Sequence, residues 1–153
     1  MSEEAPLEMI SFLVNDQAFC LDVSVIREIR GWTPATPLPG APLEVRGVIN
    51  LRGVIMPVVD LKARLDQGLT EPSSRHVIIV LELGDRQAGL LVEAVQETFK
   101  IARSELQQPP SLSDPAVIGL VGAILSLGGR MVSMLVPEAL LPESAMASSA
   151  VAA

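Results

Sequence analysis

Little in this chain can do chemistry. Its 153 residues include one cysteine, Cys20, and one histidine, His76. A lone Cys makes no intrachain disulfide, and one Cys with one His is too small a set for a zinc cluster or for a Cys-His or Ser-His-Asp arrangement. Tyrosine is absent, and the only aromatics are Phe12, Phe19, Trp32 and Phe99, too few to line a single-strand nucleic-acid groove. Basic residues are outnumbered, 11 Lys and Arg against 18 Asp and Glu, and the net charge of −7 opposes general affinity for phosphate backbones or anionic membranes. Long hydrophobic runs are missing as well. The longest, Ala116 to Leu127, contains two Gly and a Ser and falls short of the ~20 residues of a membrane span. The N-terminal MSEEAPLEM is acidic and lacks an apolar segment, so no secretory signal is expected. These absences predict a cytoplasmic protein with no direct membrane insertion, no metal and no cofactor.

What is present points to β structure. Hydrophobic residues make up 49% of the chain, enough to bury a core. With so few aromatics that core must be built from Val, Ile, Leu, Ala and Met. Short Val- and Ile-rich runs punctuated by 12 Pro and 11 Gly favour strands and turns over helices. Cys20 lies in one such run, where it is expected to pack as a small hydrophobe. Asp16, Asp85 and Asp114 fall at predicted turns and Asp60 follows a strand, so turn chemistry or capping accounts for them. GLVGAILSLGG lacks the Lys-Ser/Thr ending of a P-loop and the spacing of a dinucleotide fingerprint. No enzymatic activity is expected.

The chain contains two related halves. MISFLV, Asn15-Asp16 and QAFCLDVSVIREI are matched by VIIVLEL, Gly84-Asp85-Arg86 and QAGLLVEAVQETF: strand, polar turn, Gln-Ala, strand, then a short amphipathic stretch. Asn-Asp and Gly-Asp are hairpin turns. RGVINLRGVIMPVVDL then finds a fainter counterpart in VGAILSLGGRMVSMLV. Each half is too short for anything but a small barrel of about five strands. Short helices are predicted at Val23 to Ile29, with a counterpart at Glu93 to Thr98, at Asp60 to Asp66, and at Pro137 to Leu141, where Pro takes the first helical position. Asp66 to Arg75 reads as the linker between halves, and Gln107 to Pro115 as a long loop.

One block stands apart. In VRGVINLRGVIMPVVDL, Arg-Gly-Val-Ile occurs twice at a six-residue offset. Gly47 and Gly53 read as a bulge or close-approach point and a tight turn, which leaves Asn50 and Arg52 at a polar bend between buried strands. Six basic residues against three acids lie between Arg27 and Arg64, a local excess that suits a protein-binding face. If VIREIRG lies beside the bend as a helix, Ile26, Glu28 and Arg30 converge with Asn50 and Arg52 on one surface, and Glu28 and Arg52 are expected to pair. Trp32, in the following Pro-rich connector, reads equally as a core anchor or a partner contact.

VIREIRGWTPATPLPGAPLEVRGVINLRGVIMPVVDL resembles the CheW family, the coupling scaffolds of bacterial chemotaxis, and the likeness runs from about Leu7 to Leu141. The resemblance implies an all-β fold of two SH3-like five-stranded β-barrel subdomains with a few short helices. They would form a single domain over 7–141, the first barrel near 7–66 and the second near 75–141, with exchange of strands between them left open. Flexible tails are expected at 1–6 and 142–153. It further implies an adaptor that couples the cytoplasmic tips of methyl-accepting chemoreceptors to the regulatory domain of the histidine kinase CheA. Such an adaptor is recruited to membrane-associated receptor arrays and touches other CheW-like proteins there. Carried over by motif, the receptor-binding residues are Ile26, Glu28, Asn50, Arg52 and Val95, with Gly47 and Gly53 shaping the groove; kinase-binding residues are left unassigned. The alternatives are a scaffold of a non-flagellar pathway, such as one serving type IV pili, or a small-barrel nucleic-acid-binding protein.

Overall fold

The structure, a computed structural model, describes residues 5–110 and 119–141. Ten strands dominate it: β1 Leu7–Val14, β2 Gln17–Asp22, β3 Ile26–Gly31, β4 Val45–Leu51, β5 Val54–Asp60, β6 Val77–Leu83, β7 Arg86–Val92, β8 Ala94–Ile101, β9 Val121–Leu127 and β10 Arg130–Leu135. Two four-residue helices, α1 Leu61–Arg64 and α2 Pro137–Leu140, follow β5 and β10. The strands form two five-stranded sheets, ordered β8-β1-β2-β10-β9 and β3-β6-β7-β5-β4.

The two halves do not each make their own sheet. The leading hairpin of the first half, β1–β2, sits with β8, β9 and β10, whereas β6–β7 of the second half sits with β3, β4 and β5. The parallel contacts that lock each hairpin in place are equivalent: Met134 lies opposite Cys20, and Val59 opposite Leu90. Cutting the chain between 66 and 75 therefore separates the sequence repeats but not the sheets. The connections explain the exchange. A single 3-10 turn, Val23–Val25, joins β2 to β3, its Ser24 amide held by Asp22 Oδ1 at 2.9 Å, and only Glu93 separates β7 from β8. Links this short redirect the chain into the other sheet.

Side-chain alternation gives the hairpins two buried faces. Met9, Ala18 and Cys20 point into one barrel with Ile101, Leu125 and Val132. Ile78, Val80 and Leu91 point into the other with Ile49, Met56 and Val58. Their opposite faces, Phe12, Val14, Phe19 and Leu21 against Ile79, Leu81, Ala88 and Leu90, make a third core between the sheets. Burial on both faces is why these strands read as unbroken apolar runs.

The expected helices at Val23 to Ile29 and Glu93 to Thr98 are not formed. After the 3-10 turn the first becomes β3, paired with β6, and the second becomes β8, paired with β1. A seven-residue helix gains little against its nucleation cost, while an open sheet edge offers each segment a full ladder. The turns of DLKARLD are reduced to α1, capped by Asp60, and α2 carries Pro137 in its first turn. The expected tails at 1–6 and 142–153, apart from Ala5 and Pro6, and most of the Gln107 to Pro115 loop lie outside the described residues.

Candidate functional site

Four two-residue loops close the hairpins, and three are made of Gly, Asn or Asp: Asn15-Asp16, Gly84-Asp85 and Gly128-Gly129. The fourth, between β4 and β5, is Arg52-Gly53, with φ of 53° and 88°. Positive φ at both central residues is the type I′ signature, which matches strand twist. For a long L side chain it is costly. Asn50 shores up the loop by accepting the Gly53 amide on its Oδ1 at 2.9 Å. The equivalent turn of the second half carries Gly128 where the first carries Arg52, so the guanidinium belongs to one half only.

Arg52 is met by Glu28. Arg52 Nη2 donates to Glu28 Oε1 across 24 residues of sequence, and Arg30 Nη1 donates to Glu28 Oε2 at 3.3 Å. Arg52 is 63% exposed and Glu28 24%, so the carboxylate lies in the wall while the guanidinium stands at the rim. The Arg52 hydrogen bond, helped by its charge and by Arg30, holds the Glu28 carboxyl below its usual range. The pairing expected from sequence is thus present, but it comes from a strand rather than a helix. A bulge at Arg27, between the Ile26–Leu81 and Glu28–Val80 pairs, sets Glu28 facing the hairpin tip. Arg27 itself turns outward to Glu82 at 3.0 Å.

Gly47 is a close-approach point. A Cβ there would sit 2.2 Å from the Thr36 carbonyl oxygen, and its φ is 142°. The contact belongs to the bridge in which Thr36 and Val48 exchange backbone hydrogen bonds of 2.9 and 2.8 Å, tying the Pro-rich connector to β4. Gly53 has open space around it and is needed for its turn conformation alone.

Ile26 and Val95 are counterparts: each precedes the bulge of its strand, and each packs partly buried against the core between the sheets. They lie on different sheets, Ile26 opposite Leu81 and Val95 opposite Phe12. Ile26, Glu28, Asn50 and Arg52 belong to one sheet, and Val95 comes from the other. A cleft of about 250 Å³ beside Arg52 is lined by Arg27, Leu51, Val54, Met56, Val80 and Gln87.

Other residues fall into structural roles. Trp32 packs against the β4–β7 core, Cys20 is buried with its thiol pushed up to about 12, and His76 Nδ1 accepts the Ser73 amide at 3.1 Å. No group of three or more His, Cys, Asp or Glu among the described residues is placed to hold a metal. No described helix is long and apolar enough to cross a membrane.

Two residues escaped the sequence reading. Ile55, 63% exposed, and Met131, 65% exposed, occupy the same position in the two barrels, the second strand residue after each turn. The signal was there: the next residues, Met56 and Val132, are buried, so alternation turns Ile55 and Met131 outward. Arg30, expected from its segment to reach the same surface as Glu28 and Arg52, is in addition the second partner of Glu28.

Comparison with known proteins gives one answer at each level. A family model described as CheW-like domain matches residues 8–145. The chain is 43% identical over 135 residues to a protein of Rhizobium meliloti named "Chemotaxis protein CheW", spanning 88% of this chain and 87% of that one. It is 41% identical over 137 residues, 90% and 88% of the two chains, to the "Probable chemotaxis protein CheW" of Rhizobium etli. Among solved structures, the scaffolding protein TtCheW from Thermoanaerobacter tengcongensis superposes with a TM-score of 0.77 at 30% identity, covering 88% of this chain and 86% of that one.

Proposed function

The chain belongs to the CheW-like family, whose fold of two SH3-like barrels it has, and from that premise we propose that this chemotaxis scaffold works by binding a chemoreceptor tip and the regulatory domain of the kinase CheA at the same time. The observation that carries the receptor half of this reading is the Glu28–Arg52 pair. A hairpin tip holds an arginine in a backbone conformation that suits Gly, and a carboxylate on the neighbouring edge strand fixes its direction. Oriented charge at the rim of apolar surface sets register and partner choice more than raw affinity.

The receptor tip is a helical hairpin, and its apolar stripe is received between the barrels, a helix-in-groove contact. Ile26 and Val95 provide walls from the two sheets, Asn50 and Gly53 hold the turn, and Gly47 lets the connector close on β4. The kinase half is supported by Ile55 and Met131, exposed apolar side chains at matching positions of the two barrels. Contacts made head to tail through unlike ends of a two-barrel unit can close into rings, and many weak contacts then add through multivalency. Such an adaptor acts in the cytoplasm, recruited to membrane-associated arrays, with no chemistry of its own.

The test is a titration of the full chain with a receptor-tip fragment and with a CheA regulatory domain from the same genome, each alone and then together. Simultaneous binding is the expected result. Binding to one partner that displaces the other would overturn the bridging mechanism.

A further inference from the structure

One carboxylate, Glu28, serves two guanidiniums, so the Arg30–Glu28–Arg52 cluster keeps one uncompensated positive charge. Arg30 is the less satisfied member. Its single hydrogen bond is 3.3 Å long, and its Nε is buried with no acceptor, an arrangement that forfeits the hydration of that N–H without replacing it. The side chain is nonetheless 36% exposed, which leaves the guanidinium room to turn.

Arg30 borders a cleft of about 330 Å³ whose other walls include Thr33, Thr36, Val48, Asn50 and Ile55. The cleft opens between β3 and β4, the two outer strands of their sheet, which are not hydrogen-bonded to one another. No carboxylate lines it. Its polar groups are donors in surplus: a guanidinium, two hydroxyls, and the Asn50 side-chain amide, whose oxygen is already taken by Gly53. Val48 and Ile55 supply an apolar edge long enough to take the methylenes of an acidic side chain.

We infer that this cleft receives a glutamate or aspartate side chain from the bound receptor helix, and that Arg30 holds it. The inference rests on the adaptor reading and adds a specificity-determining residue to it. A partner carboxylate turns the cluster into two cations and two anions and gives Nε its acceptor, in the bidentate geometry that a guanidinium offers and an ammonium cannot. Arg52 and Arg30 then mark two positions on the partner, with Glu28 as the pivot that keeps their guanidiniums apart.

The experiment is calorimetric titration of the full chain with a receptor-tip fragment whose acidic residues are changed one at a time to their amides. Arg30→Gln should weaken binding about tenfold or more, Arg30→Lys should recover only a small part, and both variants should melt near the wild type. One amide substitution in the fragment should weaken wild-type binding by a similar factor and have no further effect on Arg30→Gln. Affinity within about twofold of wild type for Arg30→Gln or Arg30→Lys, or amide substitutions that all act equally on wild type and variant, overturns the inference and leaves the adaptor reading standing. Absence of wild-type binding to the fragment overturns both.

Discussion

Arg52, at the tip of the β4–β5 hairpin, donates to the Glu28 carboxylate on β3, and no hydrogen bond between the strands themselves joins these two edges of the sheet. The side-chain pair therefore sets the direction of the guanidinium without a backbone ladder to help. Reversing the Arg52 charge should abolish receptor recruitment while far-UV circular dichroism and melting, within about 3 °C, stay as they were. Adding Glu28→Arg to Arg52→Glu should restore part of the binding. Failure to restore it would sink the pair as the orienting element.

Gly47 and Gly53 test two different reasons for glycine. Alanine at 47 drives its Cβ into the Thr36 carbonyl, so Gly47→Ala should cost about 2 to 4 kcal/mol in denaturant unfolding and detach the connector from β4. Alanine at 53 meets nothing and suffers only the positive φ, about 1 kcal/mol. Equal losses would mean that the Thr36 approach is softer than the geometry states.

The duplication is legible because hairpin chemistry is local: Asn15-Asp16 and Gly84-Asp85 announce their turns, and Gln-Ala follows the first directly and the second after Arg86. The exchange of hairpins between sheets is not local. MISFLV alternates identically whichever sheet receives it, and only its lack of a polar face tells that both sides are buried. The site was harder to read, and for a physical reason. In β3 the inward positions are Ile26, Glu28 and Arg30, while Ile29 is 41% exposed. Charge stands where a strand pattern calls for apolar residues, which made a strand look like a short helix. Arg52 and Glu28 were identifiable from their motif and Arg30 from its neighbourhood, whereas the bond from Arg30 to Glu28 and its buried Nε required coordinates.

Acid should loosen the same pair. Glu28 sits below its ordinary 4.5 because Arg52 donates to it. A carboxyl depressed in the folded state stabilises the pair in full above the unfolded value and loses that contribution as pH falls through the folded one. Receptor binding should then be flat from neutral pH down to about 5 and decline below the ordinary carboxylate range. Carboxyl carbon shifts of Glu28 should report the midpoint, and Arg52→Ala should move it upward. A midpoint unmoved by Arg52→Ala would place the cause elsewhere.

Asp60 is fully buried, and its carboxylate accepts the Thr70 amide at 2.8 Å, the Thr70 hydroxyl at 2.6 Å and Arg46 Nη1 at 3.5 Å, besides capping α1. One side chain thus joins the end of β5, the helix that follows and the connection to β6. Asp60→Ala leaves a partly buried amide and a partly buried guanidinium without their acceptor, so about 3 to 5 kcal/mol should be lost. Thr70→Val, which keeps the backbone bond, should cost about 1 kcal/mol. Hydrogen exchange separates a local from a global role: the Thr70 amide should exchange faster in both variants, while β6 and β7, sealed on two faces, lose protection only in step with global stability. Unchanged exchange at Thr70 in Asp60→Ala would show that the linker is held by its other contacts.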